Sequence, residues 1–168
     1  ILAESETPDY FANVISGVVK LAKTLPDGRQ QIVGLQFPSD FLGRPLAAHN
    51  PVFAEAACDV ELCCFPKREF EGLMRTFPGI EHRLFEHTLD ELDAAREWML
   101  LLGRKSAAEK VASFLLLIAR RMANAGCSPS QQMGFVQFEL PLTRADIADF
   151  LGLTIETVSR QMTRLKTA

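Results

Sequence analysis

The chain has 168 residues, 48% of them hydrophobic, and a formal net charge of −3 at pH 7. A chain of this length can bury one good core or two small ones joined by a long element, and we expect two small domains. The negative charge excludes a protein coated in basic residues, so any affinity for nucleic acid has to come from a local patch.

The composition also indicates a compartment. Four cysteines occur without a recognisable secretory leader, which is typical of a reducing interior. No run of about 18 apolar residues is present, so we expect no membrane span and a soluble, cytoplasmic protein. The sequence starts abruptly at Ile1, and we expect both ends to be incomplete.

The first part of the chain predicts a small β-roll. Residues 14–21 and 31–35 are rich in β-branched side chains, and the turn sequence Leu-Pro-Asp-Gly at 25–28 lies between them, so we expect a hairpin. Residues 38–45 are predicted to form a loop, and the alternation over 52–65 predicts further strands. Because helical periods follow, the fold class is α+β with an antiparallel β-roll first.

A short helix at 67–77 and a long helix at 80–103 come next. One apolar stripe of the long helix repeats at alternating spacings of three and four, as in a coiled coil. This stripe, called the seam, consists of Phe85, Thr88, Leu92, Ala95, Met99 and Leu102. We interpret it as a parallel dimer interface; the alternative is packing within the chain's own core.

Two features of the long helix support a homodimer. Ala95 is small and uncharged, so two helices can approach there without burying an unpaired charge. A second stripe of Leu84, Leu89, Trp98 and Leu101 can pack on the β-roll. The helix then has two buried faces.

The remaining residues predict a winged helix-turn-helix. Ser106 caps a helix over 107–122, and a strand over 135–140 leads to the helix-turn-helix. The wing itself is expected beyond Ala168 and is absent. We therefore divide the chain into a sensor roll, a dimerisation helix and a DNA-binding domain, at residues 1–79, 80–103 and 104–168.

The helix-turn-helix is predicted from local signals. Thr143 is a good N-cap, with Asp146 in the position of a capping-box acid. Gly152 suits the turn, and Thr154 caps the second helix. The inner face of that helix carries Val158 and Met162.

The first two turns of the second helix carry Glu156, Ser159 and Arg160, where a recognition helix meets base edges. The alternative is an ordinary ion pair between Glu156 and Arg160 on a solvated helix. Residues 144–168 hold four basic and three acidic side chains, a net charge of +1. This patch is only mildly basic, and a dimer would double the available phosphate contacts.

A β-roll, a long helix and a helix-turn-helix in this order resemble the Crp/Fnr superfamily of bacterial transcription regulators over nearly the whole chain. Residues 151–160, Leu-Gly-Leu-Thr-Ile-Glu-Thr-Val-Ser-Arg, are similar to the Fnr/FixK branch, as are residues 40–43 and 99–102. The resemblance implies a regulator of anaerobic or microoxic genes, responsive to oxygen or redox state. It also implies a homodimer that binds a two-fold TTGAT-like site and contacts RNA polymerase.

The resemblance implies roles for single residues, and their chemistry agrees. Arg160 can hold guanine O6 and N7, Glu156 can accept from cytosine N4, and Ser159 can meet a thymine or adenine edge. Ile155 is apolar where the cyclic-AMP receptor branch has an arginine, which favours an Fnr-type half-site. The residues expected to contact DNA phosphates are Thr143, Arg144, Thr154 and Thr157.

Two kinds of signal are considered for the roll. A cyclic nucleotide would need a fixed cation after the loop at 38–45 to hold its phosphate. Residues 46–66 contain no Arg or Lys, and Arg44 precedes them, so we expect no bound cyclic nucleotide. The alternative function is nevertheless a regulator that responds to a cyclic nucleotide or another small ligand. An iron–sulfur cluster needs about four thiolates, of which Cys63 is a candidate for one. The other three would lie before Ile1.

The remaining cysteines and histidines carry no predicted site. Cys64 continues the parity of the apolar residues at 60 and 62, and Cys58 and Cys127 lack the spacing of cluster ligands. The alternative to a cluster is FixK-type control without a cofactor. Three histidines, at 49, 82 and 87, are expected to be solvated. No serine, histidine and acid grouping indicates a nucleophile, so we predict that the protein is not an enzyme.

Overall fold

The computed structural model describes residues 9–45, 49–124 and 139–167. The strands in these ranges are β1 (Tyr10–Ser16), β2 (Val19–Thr24), β3 (Gln30–Gln36), β4 (Phe41–Leu42), β5 (Phe53–Ala56) and β6 (Glu61–Pro66). The helices are α1 (Lys67–Thr76), α2 (Pro78–Arg104), α3 (Ala107–Asn124), α4 (Arg144–Leu151) and α5 (Ile155–Thr167). The predicted α+β class, with strands first and a C-terminal helix-turn-helix, is confirmed.

The strands form two three-stranded antiparallel sheets, in the orders β4-β1-β6 and β3-β2-β5. The predicted hairpin is confirmed as β2 and β3, with Val19 opposite Gln36 and Thr24 opposite Gln30. At its turn the Gly28 N–H donates to the Leu25 carbonyl over 2.9 Å. The two sheets together form the β-roll.

One strand prediction is wrong. Residues 14–21 do not form a continuous strand, because Gly17 has a φ of +83° and ends β1. A Cβ at Gly17 would lie 2.2 Å from the Asp59 carbonyl oxygen, so only glycine fits this corner. The chain there crosses from one sheet to the other. The predicted loop at 38–45 also contains the short strand β4.

The roll has a small core of its own, closed by α1. Ala12, Val14, Val19, Leu42 and Ala54 form this cluster and are buried. The Phe70 ring of α1 lies 5.4 Å from the ring of Phe11 and 5.2 Å from that of Phe41, between centroids. The predicted short helix is confirmed, and aromatic packing fixes it to the sheet.

The long helix α2 has two different apolar faces. Leu101 is buried and Leu84 and Trp98 are half-buried, so this face packs within the chain. Phe85 and Met99, on the seam, are 61% and 63% exposed. The helix therefore presents an apolar stripe that the described part of the chain leaves uncovered.

Two details of the predicted stripes are corrected. Leu89 was expected to pack on the roll, but it is exposed. Leu102 was expected on the seam, but it is half-buried and packs against the larger core. Both expectations rested on the helical period alone, which does not decide which side of a helix the rest of the chain covers.

That larger core, called the shared core, joins the roll to the C-terminal helices. The buried residues of the roll in it are Val18, Ala22, Ile32, Leu35 and Phe37. Those of the helical part are Leu101, Val111, Phe114, Ile118, Leu142, Ile147, Ala148, Phe150, Leu151 and Val158. The helix-turn-helix is thus packed directly on the sheet that contains the hairpin.

The predicted cap of α3 is present. The Ser106 N–H and hydroxyl donate to the Glu109 carboxylate over 2.8 and 2.7 Å, and the Glu109 N–H donates back to Ser106. Most of the predicted strand at 135–140 lies outside the described residues, and Glu139 and Leu140 are not in a strand. None of the helices in the described segments is long and apolar enough to cross a bilayer.

Candidate nucleic-acid interface

The first helix of the helix-turn-helix, α4, begins at a capping box. The Thr143 N–H donates to Asp146 Oδ2 over 2.9 Å, and the Asp146 N–H donates to Thr143 Oγ1 over 3.1 Å. Burial alone would raise the pKa of Asp146, but hydrogen bonds from Lys20 and Thr143 outweigh it and lower that pKa. The Thr143 amide is therefore satisfied by a carboxylate that stays ionised, and the Asp146 amide by the Thr143 hydroxyl.

The turn after α4 depends on Gly152. Its φ of 60° and ψ of 43° place it in the left-handed region, as a helix C-cap requires. The Leu153 N–H donates to the Ala148 carbonyl over 3.0 Å, and Lys110 Nζ donates to the Leu151 carbonyl over 3.3 Å. The end of α4 is thus fixed from its own turn and from α3.

The second helix, α5, is capped by Thr154 as predicted. The Thr157 N–H donates to Thr154 Oγ1 over 3.3 Å. Inward, Val158 is fully buried and Gln161 is 8% exposed, whereas Met162 is only half-buried. The predicted inner face of Val158 and Met162 is confirmed, since both pack in the shared core. Gln161 is buried on this face as well.

The opposite face of α5 is open. Ile155, Glu156 and Arg160 are exposed and Ser159 is half-buried, all within the first two turns. A hydrogen bond from its own backbone N–H and one from Thr154 lower the pKa of Glu156, so it carries a negative charge at neutral pH. In the part of the chain that the structure describes, Glu156 and Arg160 form no ion pair with each other.

The four residues predicted to contact phosphates lie at the N-terminal ends of α4 and α5. Thr143, Arg144 and Thr154 are exposed, and Thr157 is half-buried. The Thr154 hydroxyl donates to that of Thr157 over 3.1 Å. Both helix N-termini of the motif therefore present hydroxyl groups close to backbone N–H groups.

The cysteine positions agree only partly with the sequence analysis. Cys63 is exposed on β6, opposite Asn13, and Cys58 is exposed in the loop before it. Cys64 was expected to continue a buried parity, but it too is exposed, while Cys127 lies outside the described residues. Across 9–45, 49–124 and 139–167, no three Cys, His, Asp or Glu side chains converge as metal ligands.

A cleft of about 410 Å³ lies between the roll and α2, lined by Arg44, Asn50, His87 and Glu91 among others. Asn50 is 5% exposed, and its Nδ2 has no hydrogen-bond partner among the described residues. His87 was expected to be solvated, but its Nε2 is buried 3.8 Å from Glu91 Oε1. The burial of Asn50 and of His87 Nε2 was not predicted, since nothing in the local sequence pattern of either residue indicates it.

A β-roll, a long helix with an uncovered apolar stripe and a helix-turn-helix with an open recognition face together define a DNA-binding transcription regulator. Two family models match the corresponding parts of the chain. Residues 1–77 match a cyclic nucleotide-binding domain, and residues 109–168 match a Crp-like helix-turn-helix domain.

The chain is similar to named regulators along its length. It is 52% identical to a "Probable transcriptional activator" of Rhizobium leguminosarum bv. viciae and 49% identical to "Transcriptional activator protein FnrL" of Cereibacter sphaeroides. Each match covers 99% of this chain, and 67% and 66% of the two relatives. The chain thus spans about two thirds of the length of these curated relatives.

A solved structure gives the same answer. The structure of FixK2 from Bradyrhizobium japonicum matches with a TM-score of 0.85 at 36% identity, covering 99% of this chain and 79% of that one. The chain belongs to the Crp/Fnr family of bacterial DNA-binding transcription regulators, in its Fnr/FixK branch. The predictions of this family, and of a regulator instead of an enzyme, are confirmed.

Proposed function

We propose that the protein reads a two-fold TTGAT-like DNA site as a homodimer and responds to oxygen or redox state. The observation that carries this proposal is the open face of α5, where Glu156, Ser159 and Arg160 lie together without an ion pair between Glu156 and Arg160. In this proposal residues 1–79 sense, residues 80–103 dimerise and residues 104–168 bind DNA.

The chemistry of this face suits a mixed base sequence. The Arg160 guanidinium can donate two hydrogen bonds to guanine O6 and N7, and Glu156 can accept one from cytosine N4. Ser159 can meet a thymine or adenine edge beside them. Each well-placed pair is worth about 1–3 kcal/mol of discrimination against the wrong base.

Phosphate contacts would set the register of α5 in the groove. Thr143, Arg144, Thr154 and Thr157 sit at the N-terminal ends of α4 and α5, where backbone N–H groups and the helix dipoles favour an anion. These contacts position the protein without reading sequence. Because the patch is only mildly basic, two copies are needed for useful affinity at physiological salt.

The seam of α2 is the proposed contact surface for the second copy. Phe85, Leu92 and Met99 are large, apolar and exposed in the single chain. An uncovered stripe at heptad spacing on a 27-residue helix favours pairing with the same stripe of another copy. Pairing would place two α5 helices roughly 34 Å apart, one turn of the DNA helix.

The DNA proposal is tested by competition binding with duplexes that carry inverted TTGAT half-sites at several spacings. We expect one spacing to bind best, and Arg160→Ala to lose about 10- to 100-fold in affinity for it while keeping salt-dependent binding to random duplex. Arg164→Ala, an exposed arginine one turn further along α5, is the matched control. Equal effects of the two variants would contradict base reading by Arg160.

The homodimer is tested by sedimentation. Met99→Asp places a charge on the seam and is expected to yield monomers, because a buried unpaired carboxylate opposes association. Leu100→Asp is the matched control, since Leu100 is 53% exposed on the same helix but points away from the seam. A Met99→Asp protein that stays dimeric and binds DNA normally would disprove the proposed interface.

Two routes are proposed by which the protein could respond to oxygen or redox state. Cys63 would be one thiolate ligand of an iron–sulfur cluster, but the described residues do not complete the donor set. FixK-type control without a cofactor is the other route. Iron and sulfide analysis of protein purified without oxygen distinguishes them: about four irons per chain, lost in Cys63→Ser, would favour the cluster. RNA polymerase is the proposed partner at the promoter.

A second candidate function rests on the cleft between the roll and α2. Arg44 and Asn50 line it, and the guanidinium and the amide Nδ2 could donate hydrogen bonds to the polar groups of a small ligand. Titration calorimetry with cyclic AMP and cyclic GMP tests this function. We expect no heat, because residues 46–66 contain no Arg or Lys. Saturable heat that Asn50→Ala abolishes would establish ligand sensing instead.

A further inference from the structure

The hairpin of the roll holds α4 at both ends. At the N-terminal end, Lys20 Nζ of β2 donates to Asp146 Oδ1 over 2.7 Å. At the C-terminal end, Gln31 Nε2 of β3 donates to the Phe150 carbonyl over 3.2 Å. These contacts span 126 and 119 positions of the chain. The first helix of the DNA-binding motif is therefore oriented by the sensor roll as well as by its own domain.

Lys20 occupies an acidic setting. Its side chain is 13% exposed and that of Asp146 is 15% exposed, while Glu55 Oε2 lies 3.2 Å from the same ammonium group. Burial alone would lower the pKa of Lys20, but the hydrogen bonds to Asp146 and Glu55 outweigh it and raise that pKa. Burial and the charge of Asp146 raise the pKa of Asp149 nearby. One ammonium group thus contacts two carboxylates, those of Asp146 and Glu55, and offsets part of their charge where the roll meets α4.

The ion pair is coupled to the start of α4. Asp146 accepts from Lys20 through Oδ1 and from the Thr143 N–H and hydroxyl through Oδ2. The carboxylate that caps the helix is thus the same one that the roll binds. Thr143 and Arg144, the proposed phosphate contacts, are exposed immediately beside it.

We propose that Lys20 of the β-roll is a positioning residue for DNA recognition, which fixes α4, and with it α5, at the angle that two half-sites require. This inference rests on the proposed function. In the docked arrangement the face of α5 that carries Glu156 and Arg160 remains exposed, so docking on the roll is compatible with DNA binding. The ion pair therefore leaves the proposed recognition face free.

Loss of Lys20 would act on orientation more than on folding. Without the ammonium group, Glu55 and Asp146 repel each other across the domain contact, and the partly buried Asp146 has no cation. The shared core and the contact of Arg121 with Asp40, at 3.5 Å, would still join the domains. The helix-turn-helix would remain folded but less firmly oriented.

The experiment compares Lys20→Met, Lys20→Arg and Lys23→Met in the full chain. Lys23 is exposed on the same strand, so its replacement changes the net charge equally without touching α4. For each protein, affinity is measured for the best-bound inverted TTGAT duplex and for duplexes with one base pair added to or removed from the spacer. Thermal unfolding and sedimentation are recorded on the same samples.

We expect Lys20→Met to bind the best duplex about fivefold or more weakly, the usual lower range for coupling between distant sites. It should also discriminate less between spacer lengths than the wild type, a property that a merely destabilised protein would not show. Lys20→Arg should restore both properties, and Lys23→Met should behave as the wild type.

If the wild type binds the duplex selectively and Lys20→Met shows the same affinity and spacer discrimination, the positioning role is overturned and the proposed function stays intact. Equal losses in Lys20→Met and Lys23→Met would also overturn it, because they would indicate a general charge effect. A wild-type protein that binds no inverted duplex selectively would instead refute the proposed function itself.

Discussion

The two helices of the helix-turn-helix differ in how the fold uses them. In α4 Ile147, Ala148 and Leu151 are buried, and the helix is fixed by a capping box, by the left-handed Gly152 and by two contacts from the roll. In α5 the buried residues are Val158 and Gln161, and most others are exposed. The helix α4 is a scaffold, and α5 is a presented surface.

This difference separates stability from recognition. Substitutions in α4 should change the free energy of unfolding, and through it the amount of folded protein. Substitutions on the open face of α5 should change DNA affinity while leaving unfolding unaffected, because exposed side chains away from special contacts contribute little to stability.

The largest expected effect is that of Phe150→Ala. The Phe150 ring lies 3.7 Å from the Trp98 ring and 5.7 Å from that of Phe114, between centroids, and so joins α4 to both α2 and α3. Its removal should destabilise the protein by about 3–5 kcal/mol in urea unfolding. Ile155→Ala, at an apolar residue of α5 that is 48% exposed, is the control and should cost far less. Similar losses of unfolding free energy for Phe150→Ala and Ile155→Ala would contradict the distinction between α4 as scaffold and α5 as presented surface.

The next effect concerns recognition alone. Glu156→Ala should lose about 1–3 kcal/mol of discrimination at one C·G pair, measured by competition with duplexes altered at single positions. Because it also removes a negative charge near the phosphates, its binding to random duplex should become tighter. Its urea midpoint should match that of the wild type. A destabilised Glu156→Ala protein with unaltered base preference would contradict this assignment.

A smaller effect is expected at the start of α4. Thr143→Ala removes the hydroxyl that accepts from the Asp146 N–H, and should cost about 1 kcal/mol of unfolding free energy. Thr143→Ser keeps the acceptor and should be close to the wild type. Thr163→Ala is a further control, since that exposed hydroxyl only donates to the Ser159 carbonyl within α5. A loss at Thr163 equal to that at Thr143 would refute the capping role.

The smallest effect is a pH dependence. The pKa of Asp146 is below its ordinary value of 3.8, so its contribution to stability is present above that value and is lost as the pH falls through the lower, folded-state pKa. Urea unfolding from about pH 5 to pH 3 should therefore show a steeper loss in the wild type than in Asp146→Asn. If the stability of the two proteins fell in parallel with pH, the contacts with Lys20 and Thr143 would not lower the pKa of Asp146.

The parts of the fold that depend on neighbouring residues were predictable. The capping box of Thr143 and Asp146, the turn at Gly152 and the cap at Thr154 each involve residues no more than five positions apart, and all are present. Except at Leu102, the heptad period likewise predicted the face of α2 that the described residues leave uncovered. Local preference and tertiary packing agree there, which is why pattern alone sufficed.

The parts that depend on distant residues were not predictable. Gly17 ends β1 because Asp59 lies against it, and no local pattern places Asp59 there. The pairing of Lys20 with Asp146 joins residues 126 positions apart, and a lysine on a strand resembles any solvated charge. The buried side chain of Asn50 was missed for the same reason.

The most direct test of DNA reading by α5 replaces the guanine of each TTGAT half-site with 7-deazaguanine, which lacks the N7 acceptor. Affinities of the wild type and of Arg160→Ala are measured for the ordinary and the substituted duplex. We predict that the wild type loses roughly five- to tenfold on substitution and that Arg160→Ala loses almost nothing, since its contact is already gone. Equal losses in both proteins would show that Arg160 does not contact this guanine and would contradict the proposed recognition.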